Sequence, residues 1–203
     1  MQELAIIDFE TTGTTAGYDR PTELAIAILR GTTVVDSFSQ LMNPGMPIPA
    51  NVQALTGITN AMVARAPSVA RVMREAALFV GQRPLVAHNA AFDSRFWAVE
   101  LGQLGITRDN PFLCTLRLAR RVYPELPSHA LQALRLALNL GSHGPAHRAQ
   151  ADVDVTVALL KRIQADLAER AGRPSVDADF LHRVQQAPRA RLAAVLGGEG
   201  LGA

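Results

Sequence analysis

The chain has 203 residues, 48% apolar and 19% charged, enough for one sizeable α/β domain with a short appendage. No apolar run approaches the roughly 20 residues of a membrane span, and the opening Met1-Gln2-Glu3 lacks the basic start of a signal peptide. The single cysteine, Cys114, excludes an internal disulfide, so a reducing cytoplasm is expected, and without a spanning run no membrane partner is. Net charge is +2 with a pI near 9.2, and 19 of the 20 basic residues are Arg, Lys161 being the exception. That bias is compatible with a nucleic-acid partner without singling one out.

Leu4 to Gly13 opens as an apolar strand and closes on a Gly turn. Strand alternation places Leu4, Ile6, Asp8 and Glu10 on one face and Ala5, Ile7 and Phe9 on the other. Apolar residues on both faces mark a central strand covered from two sides, where ionised carboxylates need a counter-charge. Residues two apart in a strand lie roughly 7 Å from each other, a span that suits two acids gripping divalent cations about 3.5–4 Å apart. The competing reading is two idle acids at an exposed strand end.

Gly13 to Arg20 reads as a loop, and the runs Pro21–Leu29 and Thr32–Met42 around Arg30-Gly31 read as a hairpin. Prolines 44, 47 and 49 end that region. A short helix is expected over Asn51–Leu55 before the turn Thr56-Gly57-Ile58-Thr59, and a longer one over Ser68–Val80 with Ser68 as N-cap. Pro84–His88 reads as a strand, with Asn89 capping a helix to about Leu104, and Phe112–Thr115 as a last strand. Helices follow over Leu116–Val122, His129–Leu138 and roughly Arg148–Ala171. Beyond Gly172-Arg173-Pro174, residues 171–203 form a separate tail, either two short helices (Val176–Gln186 and Ala187–Leu196) or a disordered segment. Residues 1–170 are the expected domain: an α/β fold with a mixed sheet flanked by helices.

Two helices carry acids on their apolar side. Phe92, Phe96, Trp97, Val99, Leu101 and Leu104 form a broad apolar arc that contains Asp93, whereas Ser94 and Arg95 fall outside it. Glu100 shares this face but lies about 10 Å further along the axis, a poorer place for a shared ligand. On the helix after Arg148, Asp152 lies at the edge of the apolar side and Asp154 among Lys161, Arg162 and Glu169 on the solvent side. His147, five residues before Asp152, can reach the same place only from a preceding loop. An imidazole there could take a proton from water at neutral pH. A surface role is the competing reading, and His143 is the rival loop histidine.

Asp8, Glu10, Asp93 and Asp152, with His147 before the last, resemble the DEDD superfamily of 3′–5′ exonucleases in its His-containing branch. Asp8-Phe9-Glu10-Thr11-Thr12-Gly13 looks like its first motif, His88-Asn89-Ala90-Ala91-Phe92-Asp93 its second, and His147-Arg148-Ala149-Gln150-Ala151-Asp152 its third. Leu55-Thr56-Gly57-Ile58-Thr59 is similar to a segment that packs against the terminal nucleotide in such enzymes. The resemblance implies a ribonuclease H-like fold with a five-stranded mixed sheet whose second strand is antiparallel. It also implies two Mg²⁺, with Mn²⁺ able to substitute, held by Asp8, Glu10, Asp93 and Asp152, and His147 as general base.

The implied substrate is a single-stranded DNA or RNA 3′ end. It would be met by Glu10, Thr11, Thr12, Leu55 and Thr56, by Phe9 or Phe92 at a ring face, and by His88 and Asn89 if these are more than strand end and helix cap. A proofreading or repair role on DNA is expected, with a polymerase subunit docking through 171–203 as one setting. No glutamine-led clamp-binding peptide follows residue 170, which weighs towards a stand-alone repair or RNA-trimming enzyme. A catalytically idle binding or polymerase-docking module is the alternative from another class.

Overall fold

The alternation read in Leu4–Gly13 is realised in β1 (Glu3–Thr11), the central strand of a five-stranded sheet. In a computed structural model, which describes residues 2–141 and 147–197, the strand order is β3-β2-β1-β4-β5. These are β2 (Pro21–Arg30), β3 (Thr33–Leu41), β4 (Leu85–Ala87) and β5 (Phe112–Cys114). β2 pairs antiparallel with β1 and β3, whereas β4 and β5 run parallel to β1. The carboxyl ends of β1, β4 and β5 therefore share one edge of the sheet.

The two faces of β1 feed two cores. Leu4 and Ile6 join a cluster with α5 (Thr115–Val122) and α7 (Ala149–Arg170). Ala5, Ile7 and Phe9 join a second with α3 (Val69–Val80) and α4 (Ala91–Gln103). Ser68 caps α3, its hydroxyl accepting from the Arg71 N–H, as its residue type predicts. α1 (Ala50–Thr56) and α2 (Asn60–Val63) enclose a small third cluster around Ile58. α2 has no counterpart among the expected elements; its single turn is nucleated by Thr59, whose side chain accepts from the Met62 N–H.

Asn89 does not cap α4 with its side chain. It takes a left-handed backbone (φ 66°), which Asn tolerates, and its carbonyl accepts from the Phe92 N–H. α6 (Leu131–Ala137) is shorter than the expected His129–Leu138.

The segment after Gly172 is helical and packed. α8 (Ala178–Gln186) buries Phe180, Leu181 and Val184 in the α7 cluster. A 3-10 turn (Arg189–Arg191) and α9 (Leu192–Gly197) follow, with Val195 in the same core. Gln185 lies against the sheet edge, accepting from the Cys114 N–H (2.8 Å) and donating to the Phe112 carbonyl (3.2 Å). Two otherwise open backbone groups of edge strand β5 are thereby satisfied. Among the described residues, no helix is long and apolar enough to cross a membrane.

Candidate active site

At the carboxyl end of β1, Asp8 and Glu10 point to the α7 side of the sheet, on the face of Leu4 and Ile6. Asp93, in the first turn of α4, is 2% exposed and accepts from the Phe9 N–H at 3.2 Å. That bond ties it to the residue between the two acids of β1. Asp152, in the first turn of α7, is buried and approaches from the other side. Its Oδ1 accepts from the Gln132 side chain at 3.0 Å, and its Oδ2 from the His147 N–H at 3.1 Å. Glu10, His147 and Asp152 offer ligand atoms all within 4.8 Å of one another. Three separate pieces of chain thus bring the predicted acids and the predicted histidine to one spot.

His147 precedes α7, is exposed, and holds a left-handed backbone (φ 59°) that turns it back towards Glu10 instead of continuing the helix. The rival, His143, lies outside the described residues. Asp154 bonds to Gln150 on the outer side of α7, as its place on the wheel predicts. Glu100 is buried but committed to Arg20, which grips it with two bonds of 2.9 and 3.1 Å.

Burial and mutual repulsion govern the electrostatics of the cluster. Burial, then the neighbouring Asp93, Glu10 and Asp152 charges, push the Asp8 carboxyl well above the usual carboxylate range. Burial and the Asp152 charge raise Glu10 to about 8, and burial raises Asp93 to about 7. Burial also raises Asp152. Among the described residues, no Lys or Arg forms an ion pair with any of the four. Four uncompensated carboxylates with all-oxygen donors and an adjacent imidazole fit a divalent cation, and a hard one such as Mg²⁺ in particular.

A brace of further side chains holds the acids in place. Glu23 faces Glu10 across the β1–β2 ladder and is 4% exposed. It accepts from Arg148 at 3.1 and 2.7 Å and from the Ala149 N–H at 3.0 Å. It thereby fixes the first turn of α7 and, through it, Asp152 and His147. Gln132, itself held by Arg135 at 2.8 Å, fixes Asp152 from α6. Glu23 left a signal, the one acid in a strand of mostly apolar residues; Gln132 left none.

The predicted substrate contacts divide. Leu55 and Asn89 are exposed, and Phe92 is partly so. Phe9 is not available as a stacking face: strand alternation turns its ring into the α3–α4 core, 6.4 Å from that of Phe96. The Thr56 hydroxyl is buried, bonded to the Val52 carbonyl and the Ile58 N–H. Thr12 is buried and accepts from the Arg20 N–H, closing the loop after β1. Thr11 donates to the Gly13 carbonyl. At Gly13 a Cβ would lie 2.5 Å from the Asp19 carboxylate, so any side chain there would have to displace Asp19. His88 has both ring nitrogens engaged, by Thr115 at 2.9 Å and the His129 carbonyl at 3.0 Å, and burial lowers it to about 4. It is a neutral strut between the strand ends.

The RNase T family model, described as "Exonuclease", matches residues 5–160. The DNA polymerase III PolC-type of Bacillus cereus is 38% identical over 168 residues, covering 81% of this chain but only 12% of that protein's length. Exonuclease X, solved in complex with 5′ overhanging duplex DNA, superposes with a TM-score of 0.68 at 28% identity, covering 96% of this chain and 99% of that one. E. coli Exonuclease I, solved with a dT13 oligonucleotide, shares the fold at 24% identity with a TM-score of 0.69, over 80% of this chain and 41% of its own. The sheet order, the antiparallel second strand and these neighbours define a ribonuclease H-like fold. With the match spanning most of the chain and enclosing all four acids and His147, this protein belongs to the exonuclease family of nucleases.

Proposed function

We propose that the domain is a metal-dependent 3′–5′ exonuclease that releases nucleoside 5′-monophosphates from single-stranded 3′ ends of DNA, by a two-metal mechanism. The observation that carries the reading is the convergence of Asp8, Glu10, Asp93 and Asp152 at one strand edge with, among the described residues, no Lys or Arg in ion contact with them. Bound at these four acids, two divalent cations would lower the pKa of the attacking water and stabilise the departing 3′-oxygen. His147, exposed beside Glu10 and Asp152, accepts the proton of that water as its oxygen attacks phosphorus. The P–O3′ bond breaks, and the 3′-oxygen leaves with the shortened strand and takes a proton from solvent.

Leu55, Asn89 and the accessible part of Phe92 would meet the terminal nucleotide, with Glu10 and Thr11 at its sugar. So small a contact set predicts little base preference. DNA is favoured by the polymerase named among the relatives and by the DNA in the two solved neighbours. A polymerase as docking partner finds less support in residues 171–203, because α8 spends its apolar face on the domain's own core.

The test is a 5′-labelled oligonucleotide incubated with Mg²⁺, alongside EDTA and Asp8→Ala controls. A ladder shortening stepwise from the 3′ end, absent in both controls, is the expected result; an intact oligonucleotide would leave a binding module as the better reading. Matched DNA and RNA strands in the same assay decide the sugar.

A further inference from the structure

Basic side chains are unevenly distributed over this fold. Residues 110–124 and 180–197 contain six arginines and no acid, while the rest of the chain sets 14 basic residues against 18 acidic ones, a net of −4. The two stretches are neighbours in space. Arg117 on α5 donates to the Gln186 side chain at 3.1 Å, and Arg121 to the Ala187 carbonyl at 2.8 Å, so α5 and the end of α8 lie side by side. Both acceptors are neutral, and the bonds orient the guanidiniums without cancelling their charge. Arg120, Arg189 and Arg191 are exposed, and among the described residues none of the five pairs with a carboxylate. Arg183 differs, lying 5.6 Å from the Phe180 ring on the flank of α8.

This surface begins at the catalytic edge of the sheet. β5 runs parallel to β4 and β1, so α5 starts at the same edge as Asp8 and Glu10. Its first residue, Thr115, bonds to His88, which opens the segment leading to Asp93. Arg120 lies near enough to His88 for its charge to oppose protonation of that imidazole. At a rise of 1.5 Å per residue, the arginines of α5 span roughly the first 10 Å from that edge. A strand held by its 3′ end among four acids must continue away from them, and a positive track leading off the edge is what its phosphates would follow.

We propose that α5 and the Pro188–Arg191 turn form a backbone-binding track for the single strand upstream of the terminal nucleotides, with Arg117, Arg120, Arg121, Arg189 and Arg191 as its phosphate contacts. The proposal rests on the exonuclease reading for the direction of the strand. It also gives the segment after Gly172 a task, that of completing the track.

The test is the full-length R120E/R189E/R191E variant, whose altered side chains make no hydrogen bond in the fold, checked for an unchanged melting temperature. In EDTA, its affinity for an oligodeoxynucleotide of about 25 residues falls at least about tenfold, and its salt dependence becomes shallower by about 2 in log–log slope, for three lost phosphate contacts. In Mg²⁺, its turnover of a substrate of about 3 nucleotides, too short to reach the track, stays within about twofold of wild type. R120Q/R189Q/R191Q shows the same pattern at smaller amplitude. Unchanged affinity for the long strand, or equal losses on long and short substrates, overturns the track. Wild-type protein that binds longer strands more tightly yet cuts none counts against the exonuclease reading alone; one that cuts but binds all lengths alike counts against the track alone.

Discussion

Glu23→Ala is the sharpest probe of how this fold holds its acids. The substitution removes three charge-assisted hydrogen bonds, two from Arg148 and one from the Ala149 N–H. Ala149 is fully buried, so its orphaned N–H costs about 1–3 kcal/mol. Arg148 is 36% exposed at its side chain and can turn to water, so the lost ion pair adds only about 1 kcal/mol. One effect opposes these: the Glu23 charge raises Glu10 and Asp8, and its removal relieves them. The net expectation is a destabilisation of about 2–3 kcal/mol, a fall in melting temperature of roughly 4–12 °C for a chain of this length. The loss is larger near pH 6 than near pH 9, because Glu10 is ionised, and gains from the relief, only at the higher pH. With the first turn of α7 released, Asp152 and His147 lose their register, and kcat falls about 10²-fold with KM little changed. Glu23→Gln, which keeps an acceptor for Ala149, recovers part of both losses. Differential scanning calorimetry and single-turnover digestion measure the two effects. A Glu23→Ala protein that melts within about 1 °C of wild type and cuts normally would refute the bracing role.

Asp8→Asn should lower activity at least about 10³-fold while raising the melting temperature of the metal-free protein at about pH 8, since it deletes a carboxylate disfavoured by burial and by its neighbours. His147→Ala should lower kcat by about 10²–10⁴ while leaving the pair of bonds at Asp152 one short only if the backbone shifts, because the bond it makes there is through its N–H; circular dichroism and a strand-shortening assay separate the two. Glu10 and Asp93 are raised in the fold, to about 8 and about 7, so their contribution to stability is complete at low pH and lost as pH rises through those values. Metal-free protein should therefore melt lower at about pH 9 than at about pH 5, and the increment in melting temperature given by Mg²⁺ or Mn²⁺ should grow over the same range. A flat pair of pH profiles would contradict this.

The sequence made legible what periodicity controls. Alternation in Leu4–Thr11 assigned Asp8 and Glu10 to one face, and the helical wheel turned Asp93 and Asp152 inward and Asp154 outward, because burial of apolar neighbours fixes where an acid on the same element must point. It could not show which distant group an acid meets. Glu23 and Arg148 are separated by more than a hundred residues, and the partners of His88 lie in two later segments. The stacking role expected of Phe9 fails for a related reason: a motif suggests a role, but the face on which the ring stands, opposite the acids, is set by the strand. The packing of α8 was hidden because its residues read equally well as an amphipathic helix with no known surface to cover, and that surface, the open edge of β5, exists only once the sheet is assembled.

The hydrogen bonds around the acids explain why so much of the fold is spent on a few carboxylates. The Phe9 and His147 N–H groups and the Gln132 amide each direct one oxygen of Asp93 or Asp152, yet all three donors are neutral. Arg148, close by, is drawn off to Glu23 by two bonds and makes no ion pair with Glu10. Position is thus fixed without neutralising charge. An arginine in ion contact with Glu10 or Asp152 would stabilise the metal-free protein, but it would occupy the oxygens that a cation needs. The arrangement keeps that arginine out of ion contact with the four acids, so that the free energy of bringing them together would be recovered on binding divalent cations.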